Sequence, residues 1–243
     1  METGNKEYRL VPTFGDSFST GWNVMSDNFL RLFLVVVIMS IIIAPMNVLQ
    51  IRINPFDYHF GHWNMRDFFR LGSFGIFAAF YGLLGLLYAF LAVPVFRYGS
   101  KFMFVQSVRQ EKPDFETLIK GFRENYLSIV LANLLVTALI ALGIFALIVP
   151  GIIIACRLAF VSYIVMDKKA DPIEAVEMSW KLTKGHGGTI FIMGFVSIFL
   201  MIFGLMMLLV GIFPAIIWID SSFATLYESV IREKESPAEQ IAA

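Results

Sequence analysis

Pro150–Gly185 reads PGIIIACRLAFVSYIVMDKKADPIEAVEMSWKLTKG. An apolar run carries a single arginine, Arg157, and leaves through the charged turn Asp167-Lys168-Lys169. A second segment then opens on Asp171-Pro172. Asp171 suits an N-cap, Pro172 the first helical position, where its missing N–H would be unpaired anyway, and Glu174 the third position of a capping-box-like start. Ile173, Val176 and Trp180 share one face, while Glu177 and Lys181 form an i, i+4 pair on another. Lys184-Gly185 and Gly187-Gly188 end the segment. The stretch therefore predicts an apolar helix followed by a short amphipathic one, and the rest of the chain looks like weaker copies of that plan.

The composition agrees. Of 243 residues, 58% are hydrophobic and 16% charged, whereas a soluble domain is about 45–50% apolar and about 25% charged. The excess is clustered. From Leu127 to Met166 the ionisable side chains are Cys156 and Arg157, with Tyr163 as the one phenol, and Gly187–Ile219 carries no charge. A membrane-spanning helix needs about 20 apolar residues, so the chain reads as an all-α, polytopic transmembrane bundle forming a single membrane domain over 1–243. No soluble segment is large enough for a catalytic domain. The zero net charge does not point to nucleic acid. The single cysteine, Cys156, excludes an intrachain disulfide and a thiolate metal cluster, and its apolar setting marks it as structural. The first 28 residues are polar and include Glu2, Glu7, Asp16 and Asp27. No cleavable signal peptide is expected, and Leu32–Leu49 is long enough to remain as an anchor.

Taken in order, residues 1–12 are expected to be a loose arm. Phe14, Phe18, Trp22 and Met25 mark one face of a short helix that runs into a first crossing over Phe29–Leu49, with Arg31 placed to snorkel at its start. Gln50–Arg70 is polar and irregular. The apolar run Leu71–Phe96 is rich in small residues that fit close helix packing, Gly75-x-x-x-Ala79 and Ala78-x-x-x-Gly82. It reads either as one Pro94-kinked helix to about Val108 or as a partly inserted helix followed by a crossing over Leu86–Val108. Phe115, Leu118, Ile119 and Phe122 give the second amphipathic helix. Crossings over Leu127–Ala146 and Val149–Met166 follow, joined near Gly143–Gly151. The third amphipathic helix precedes crossings over Thr189–Leu209 and Phe213–Val230, and residues 232–243 form a polar tail. Each amphipathic helix thus precedes a pair of crossings, an expected threefold repeat with Trp22, Phe122 and Trp180 and the acidic starts Asp16, Asp114 and Asp171 as landmarks. Six crossings put thirteen lysines and arginines on one side and Arg52, Arg66 and Arg70 on the other. Because Lys and Arg prefer the cytoplasm, both termini are expected there, in the inner membrane.

The residues that carry chemistry are few. Arg157 lies seven positions past Pro150 and Asp220 six past Pro214, each about 10 Å into its helix at 1.5 Å per residue. A lone charge at mid-bilayer costs at least about 2.5–3.5 kcal/mol, and pairing relieves it. Arg97 stands 16 residues before Pro113, as Arg157 stands 15 before Pro172. An intramembrane cluster of Arg97, Arg157 and Asp220 is expected, extended by Ser162, Ser221, Ser222, Thr225 and Glu228. It is either a polar path or a packing salt bridge, unless the arginines snorkel to one surface. Asp57-x-His59-x-x-His62 has residue types that suit zinc, but an aromatic interfacial turn with Tyr58, Phe60 and Trp63 is the better account. His186 is either a lipid-phosphate contact or general base, or a solvated turn residue. Trp22, Phe122, Trp180, Lys181 and Lys184 are the expected lipid contacts, their cations drawn to anionic headgroups. No nucleophile-elbow, P-loop, zincin or dinucleotide motif is present, and no cofactor is called for.

Pro150-Gly151, Arg157, Asp171-Pro172-x-Glu174-Ala175 and Ser179-Trp180-x-Leu182-Thr183-Lys184-Gly185 resemble a motif of uncharacterised bacterial integral membrane proteins. These are related to the membrane domain of glycerophosphoryl diester phosphodiesterases. Phe96–Phe122, with Tyr98-Gly99-Ser100 and Glu111-Lys112-Pro113, is similar to the middle of such proteins. The resemblance covers about residues 90–230 and implies a six-helix membrane domain. It brings no catalytic residues, because the phosphodiesterase chemistry of that family resides in a separate soluble domain that this sequence lacks. The resulting expectation is a non-catalytic module that interacts with lipid, a protein partner or a second copy of itself. The alternatives are a small-solute or lipid transporter around Arg157 and Asp220, and an intramembrane enzyme.

Overall fold

A computed structural model describes residues 8, 10–52, 80–207 and 211–242. Among the described residues every regular element is a helix: α1 Phe14–Asp27, α2 Phe29–Arg52, α3 Phe80–Val108, α4 Thr117–Glu124, α5 Tyr126–Ala146, α6 Ile148–Arg157, α7 Val161–Asp167, α8 Pro172–Leu182, α9 Gly187–Met206 and α10 Ile212–Ala242. Four stretches are long and apolar enough to cross a membrane: Phe80–Val108, Tyr126–Ala146, Ile148–Asp167 and Gly187–Met206. The pair α1–α2, bent by 93°, makes a fifth if counted as one span. The chain is a multi-pass helical membrane protein.

The stretch expected as a sixth crossing, 213–230, lies in α10 and is not among these spans. The reason is its surroundings. α10 packs against α1, α2, α3 and α9 and buries Ser221, Ser222, Thr225, Glu228 and Ser229 beside Leu226, Tyr227 and Val230. A helix wrapped in protein has no lipid-facing stripe to keep apolar, so its polar residues are tolerated where they bond or pair. Its hydroxyls mostly turn back on the helix, Ser222 donating to the Trp218 carbonyl (2.7 Å) and Thr225 to that of Ser221 (2.8 Å). The helix also continues through the polar tail to Ala242 rather than stopping near Val230.

Proline decides the course of α3. Pro94 has no N–H and its ring crowds the carbonyl four residues back. A wide π turn over Tyr88–Ala92, closed by the Val93 N–H on the Tyr88 carbonyl, absorbs the fault, and the helix runs unbroken to Val108. A single long helix is therefore what the Pro94 segment forms from Phe80 onward. The small-residue stripe before it falls mostly outside the described residues, and a Cβ on Gly82 would meet nothing within 4 Å.

Close approach is set by glycine at other contacts. A Cβ on Gly21 of α1 would stand 2.8 Å from the Ser222 Cα of α10, and one on Gly99 of α3 would stand 2.8 Å from the Thr117 carbonyl oxygen of α4. The hairpin of α5 and α6 turns on Leu147 alone, with Gly151 pressed on the Ile144 backbone.

All three short amphipathic helices form. α1, α4 and α8 each run into an apolar helix, with breaks at Asn28, Asn125 and Thr183–His186. Thr13 caps α1 by accepting from the Asp16 N–H. Asp171 sits at the N-cap of α8 with Pro172 at the first position, as the sequence predicts, yet its side chain makes no cap hydrogen bond. The inward face of α8 is built mostly of small residues. Ala175, Ser179 and Leu182 are buried, while Ile173 and Trp180 face out. Small residues let α8 lie close on α5 and α7, and the bulky apolar ones are left on the outside. In α4, Leu118 is buried whereas Ile119 is exposed, as is Phe115 in the turn before the helix.

Candidate functional site

Arg157 ends α6. Residues 158–160 interrupt the helix, and the Val161 N–H bonds to the Leu158 carbonyl rather than to that of Arg157. The freed Arg157 carbonyl accepts from the Ser179 hydroxyl at 2.7 Å and from the Thr183 hydroxyl at 3.3 Å. Ser179 and Thr183 stand four apart on α8, so one face presents both hydroxyls. Since only the turn 168–171 joins α7 to α8, these bonds close the two helices into a hairpin. Trp180, beside Ser179, takes the guanidinium: the Arg157 Cζ lies 5.8 Å from its ring centroid, within cation–π range. The Ser-Trp-x-Leu-Thr sequence thus has a physical role, clamping the helix break and its arginine.

Arg157 does not join Asp220. No ion pair links them, and the charges acting on Asp220 are Lys101 and Arg97. The expected cluster therefore divides. Arg97 and Asp220 share an environment with Lys101, while Arg157 turns to α8, because the break in its helix aims it there. Lys101 lies inside α3 one turn after Arg97. Its Nζ donates to the Ser162 hydroxyl (3.1 Å) and sits 5.2 Å from the Tyr163 ring centroid. Ser162 thus belongs to the cluster as expected. Ser221 is buried without a hydrogen-bond partner for its hydroxyl.

A second polar centre lies where α3, α7 and α10 meet. Arg109 donates from Nη1 and Nη2 to the two Asp167 oxygens (2.6 and 2.7 Å) and from Nε to Glu228 (2.8 Å). Tyr227 donates to Asp167 at 2.9 Å, and Arg232 to Glu228 at 3.0 Å. The Asp167 and Glu228 side chains are only 8% and 7% exposed. Burial alone would lower the pKa of Arg109, but the two carboxylates overcome it and raise it. The sequence points to Glu228 only as an extension of the Asp220 group. Nothing local in the sequence pairs them, since they stand 119 positions apart.

Lesser links surround this centre. Lys169 pairs with Glu124 (2.8 Å), Lys168 with Glu235 (2.7 Å) and His186 with Glu233 (3.1 Å). The Lys234 Nζ donates to the carbonyls of Lys181 and Lys184. His186 is thereby a tether between the start of α9 and α10. A cleft of about 130 Å³ beside Phe102 and Met166 is lined by Lys120, Lys169, Glu124 and Asp167, and both its lysines are already paired with Glu124.

Of the expected lipid contacts, Trp22 and Trp180 are 49% and 47% exposed. Trp22 rests edge-on against Trp218 (4.9 Å), whose Nε1 donates to the Phe18 carbonyl. Phe122 instead packs inward between Phe96 and Tyr126, and Ile119 takes the outer face of α4. Lys181 pairs with Glu177 at 3.9 Å, as its spacing predicts. Lys184 is exposed. Asp57, His59 and His62 lie outside the described residues, among which no group of three or more metal-ligating side chains gathers. No family model matches the chain, and comparison with curated proteins and solved structures likewise finds no match.

Proposed function

We propose that the chain is a non-catalytic, lipid-interacting module of the inner membrane. Its six crossings form three repeats, and its short helices rest on the cytoplasmic leaflet beside cytoplasmic termini. The observation that carries this reading is the way α1, α4 and α8 face. Each buries small or slender residues (Ser17 and Gly21, beside Phe18, Val24 and Met25; Leu118 and Gly121; Ala175 and Ser179) and leaves at least one large apolar side chain outward (Trp22; Ile119; Ile173 and Trp180). Lys120, Lys181 and Lys184 stand near them in sequence. An outward apolar face with cations nearby is the pattern of a helix lying in a headgroup layer. The same kind of break, a single asparagine at 28 and at 125, joins two of them to the following apolar helix, which supports the repeat. The resemblance of residues 90–230 to membrane domains without a catalytic set supports the absence of chemistry.

A second reading, a small-solute or lipid transporter, draws on one feature: Lys101 and Asp220 lie within the bundle beside the exposed Arg97 without an ion pair among the three.

Variants retaining one tryptophan each, at 22, 180 or 218, reconstituted with lipids brominated at defined acyl depths, test the first reading. Trp22 and Trp180 are expected to be quenched most by bromines close to the headgroups, and Trp218 least overall. Quenching of Trp22 and Trp180 chiefly by deep bromines, or by none, overturns it.

A further inference from the structure

We propose that Arg157 and Trp180 form a binding site for one phosphate group, an inference that rests on the membrane reading above. The starting point is an arginine without an anion. Among the described residues no carboxylate pairs with Arg157 and no acceptor meets its guanidinium nitrogens; Nη1 is enclosed and unpartnered. An enclosed donor left unmade is costly, and a guanidinium near lipid without a counter-charge is costlier. Its carbonyl is satisfied by Ser179 and Thr183 and its ring contact by Trp180, so the side chain is held in place while its donors stay unused. Arg157 as a whole is part-exposed. The half-exposed Trp180 and the outward Ile152 and Ile153 make the approach apolar.

A planar fork of N–H donors held beside an exposed aromatic in an apolar surface matches a phosphate oxyanion joined to an apolar body. Two sources present that chemistry: the phosphodiester of a phospholipid headgroup, and a water-soluble phosphate ester or inorganic phosphate. The wild-type Lys101, Arg109, Lys168 and Lys169 do not compete for this role, since each already has a hydrogen-bond or ion-pair partner.

The test is lipid titration of the purified full-length protein, read by native mass spectrometry, with phosphatidylglycerol and with a neutral diacylglycerol. Wild type is expected to hold one phosphatidylglycerol beyond the diacylglycerol background. Arg157→Gln is expected to weaken it about tenfold or more, the scale of charge-assisted hydrogen bonds, and Arg157→Lys less so. The clamp on the Arg157 carbonyl is backbone, so Arg157→Gln keeps it. Should that variant fail to accumulate, Arg157→Lys and Trp180→Leu are read instead, both expected to loosen the lipid. Competition by millimolar inorganic phosphate assigns the site to a soluble ester; its absence assigns it to lipid. Equal phosphatidylglycerol affinity in wild type and every variant overturns the proposal. The tryptophan-depth result is independent of Arg157, so the site and the membrane reading fail separately.

Discussion

Replacing Arg109 by leucine isolates the energy of the buried ion network. The substitution removes three hydrogen bonds, two to Asp167 and one to Glu228, and leaves both carboxylates enclosed. Taking one partner from a buried pair costs about 3–5 kcal/mol. Here each acid keeps a neighbour, Asp167 the Tyr227 hydroxyl and Glu228 the Arg232 guanidinium, and Arg109 itself is 24% exposed, so the lower end, about 3 kcal/mol, applies. That is a large share of the 5–15 kcal/mol typical of a folded protein. For a chain of this size it corresponds to a fall of about 6–12 °C in Tm, measured at fixed detergent by tryptophan fluorescence. Arg109→Lys is expected to fall between, because one ammonium cannot span both acids as the fork does. Adding Asp167→Asn and Glu228→Gln to Arg109→Leu is expected to recover part of the loss, since the stranded charges vanish. A Tm within 2 °C of wild type for Arg109→Leu, or a further fall in the triple variant, refutes the reasoning.

Gly21→Val puts carbon against the Ser222 backbone, and overpacking of this kind costs about 1–3 kcal/mol; lower thermal stability with faster proteolysis near α1 checks it. Ser179→Ala with Thr183→Val strips the Arg157 carbonyl of both donors; a loss of about 1–3 kcal/mol is expected, with hydrogen exchange rising first in α8. The hydrogen bond from Lys169, ahead of the charges of Lys120 and Lys169, holds the Glu124 carboxyl below its usual pKa. Its contribution is therefore complete above the ordinary glutamate value and lost as pH falls through the lower folded one. Exchange in the 167–171 turn is expected to rise below about pH 4.5 in wild type and to show no such rise in Glu124→Gln.

How much of this the sequence reveals depends on the range of the interaction. Periodicity finds α1, α4 and α8 because a helix face is a local property, and Glu177–Lys181 follows from the same rule. Asp171-Pro172 marks the start of α8 but not how it caps. The break after Arg157 has no signal in ACRLAFV, since it arises from the clamp that Ser179 and Thr183 place on one carbonyl. The choice of partner for Asp220 was misread for a similar reason. Depth along two helices says when charges lie level, whereas rotation decides which come near, and Lys101 and Arg97 are the cations whose charge reaches Asp220. Arg109, Asp167 and Glu228 come from three distant segments, and only the packed bundle brings them together. α8 shows that the outward face of a short amphipathic helix cannot be told from its buried face by apolarity alone.

The character of α10 bears on how the protein is made. On the six-crossing reading, Asp220, Glu228 and a run of hydroxyls make 213–230 a poor candidate to partition into lipid alone, an acid at mid-helix weighing about 2.5–3.5 kcal/mol against entry. Its neighbours α1, α2, α3, α8 and α9 all precede it in the chain and so emerge from the ribosome first. Biogenesis then has a built-in order. The earlier segments enter the bilayer on their own hydrophobicity and form a slot, and the last helix is admitted by the company it keeps.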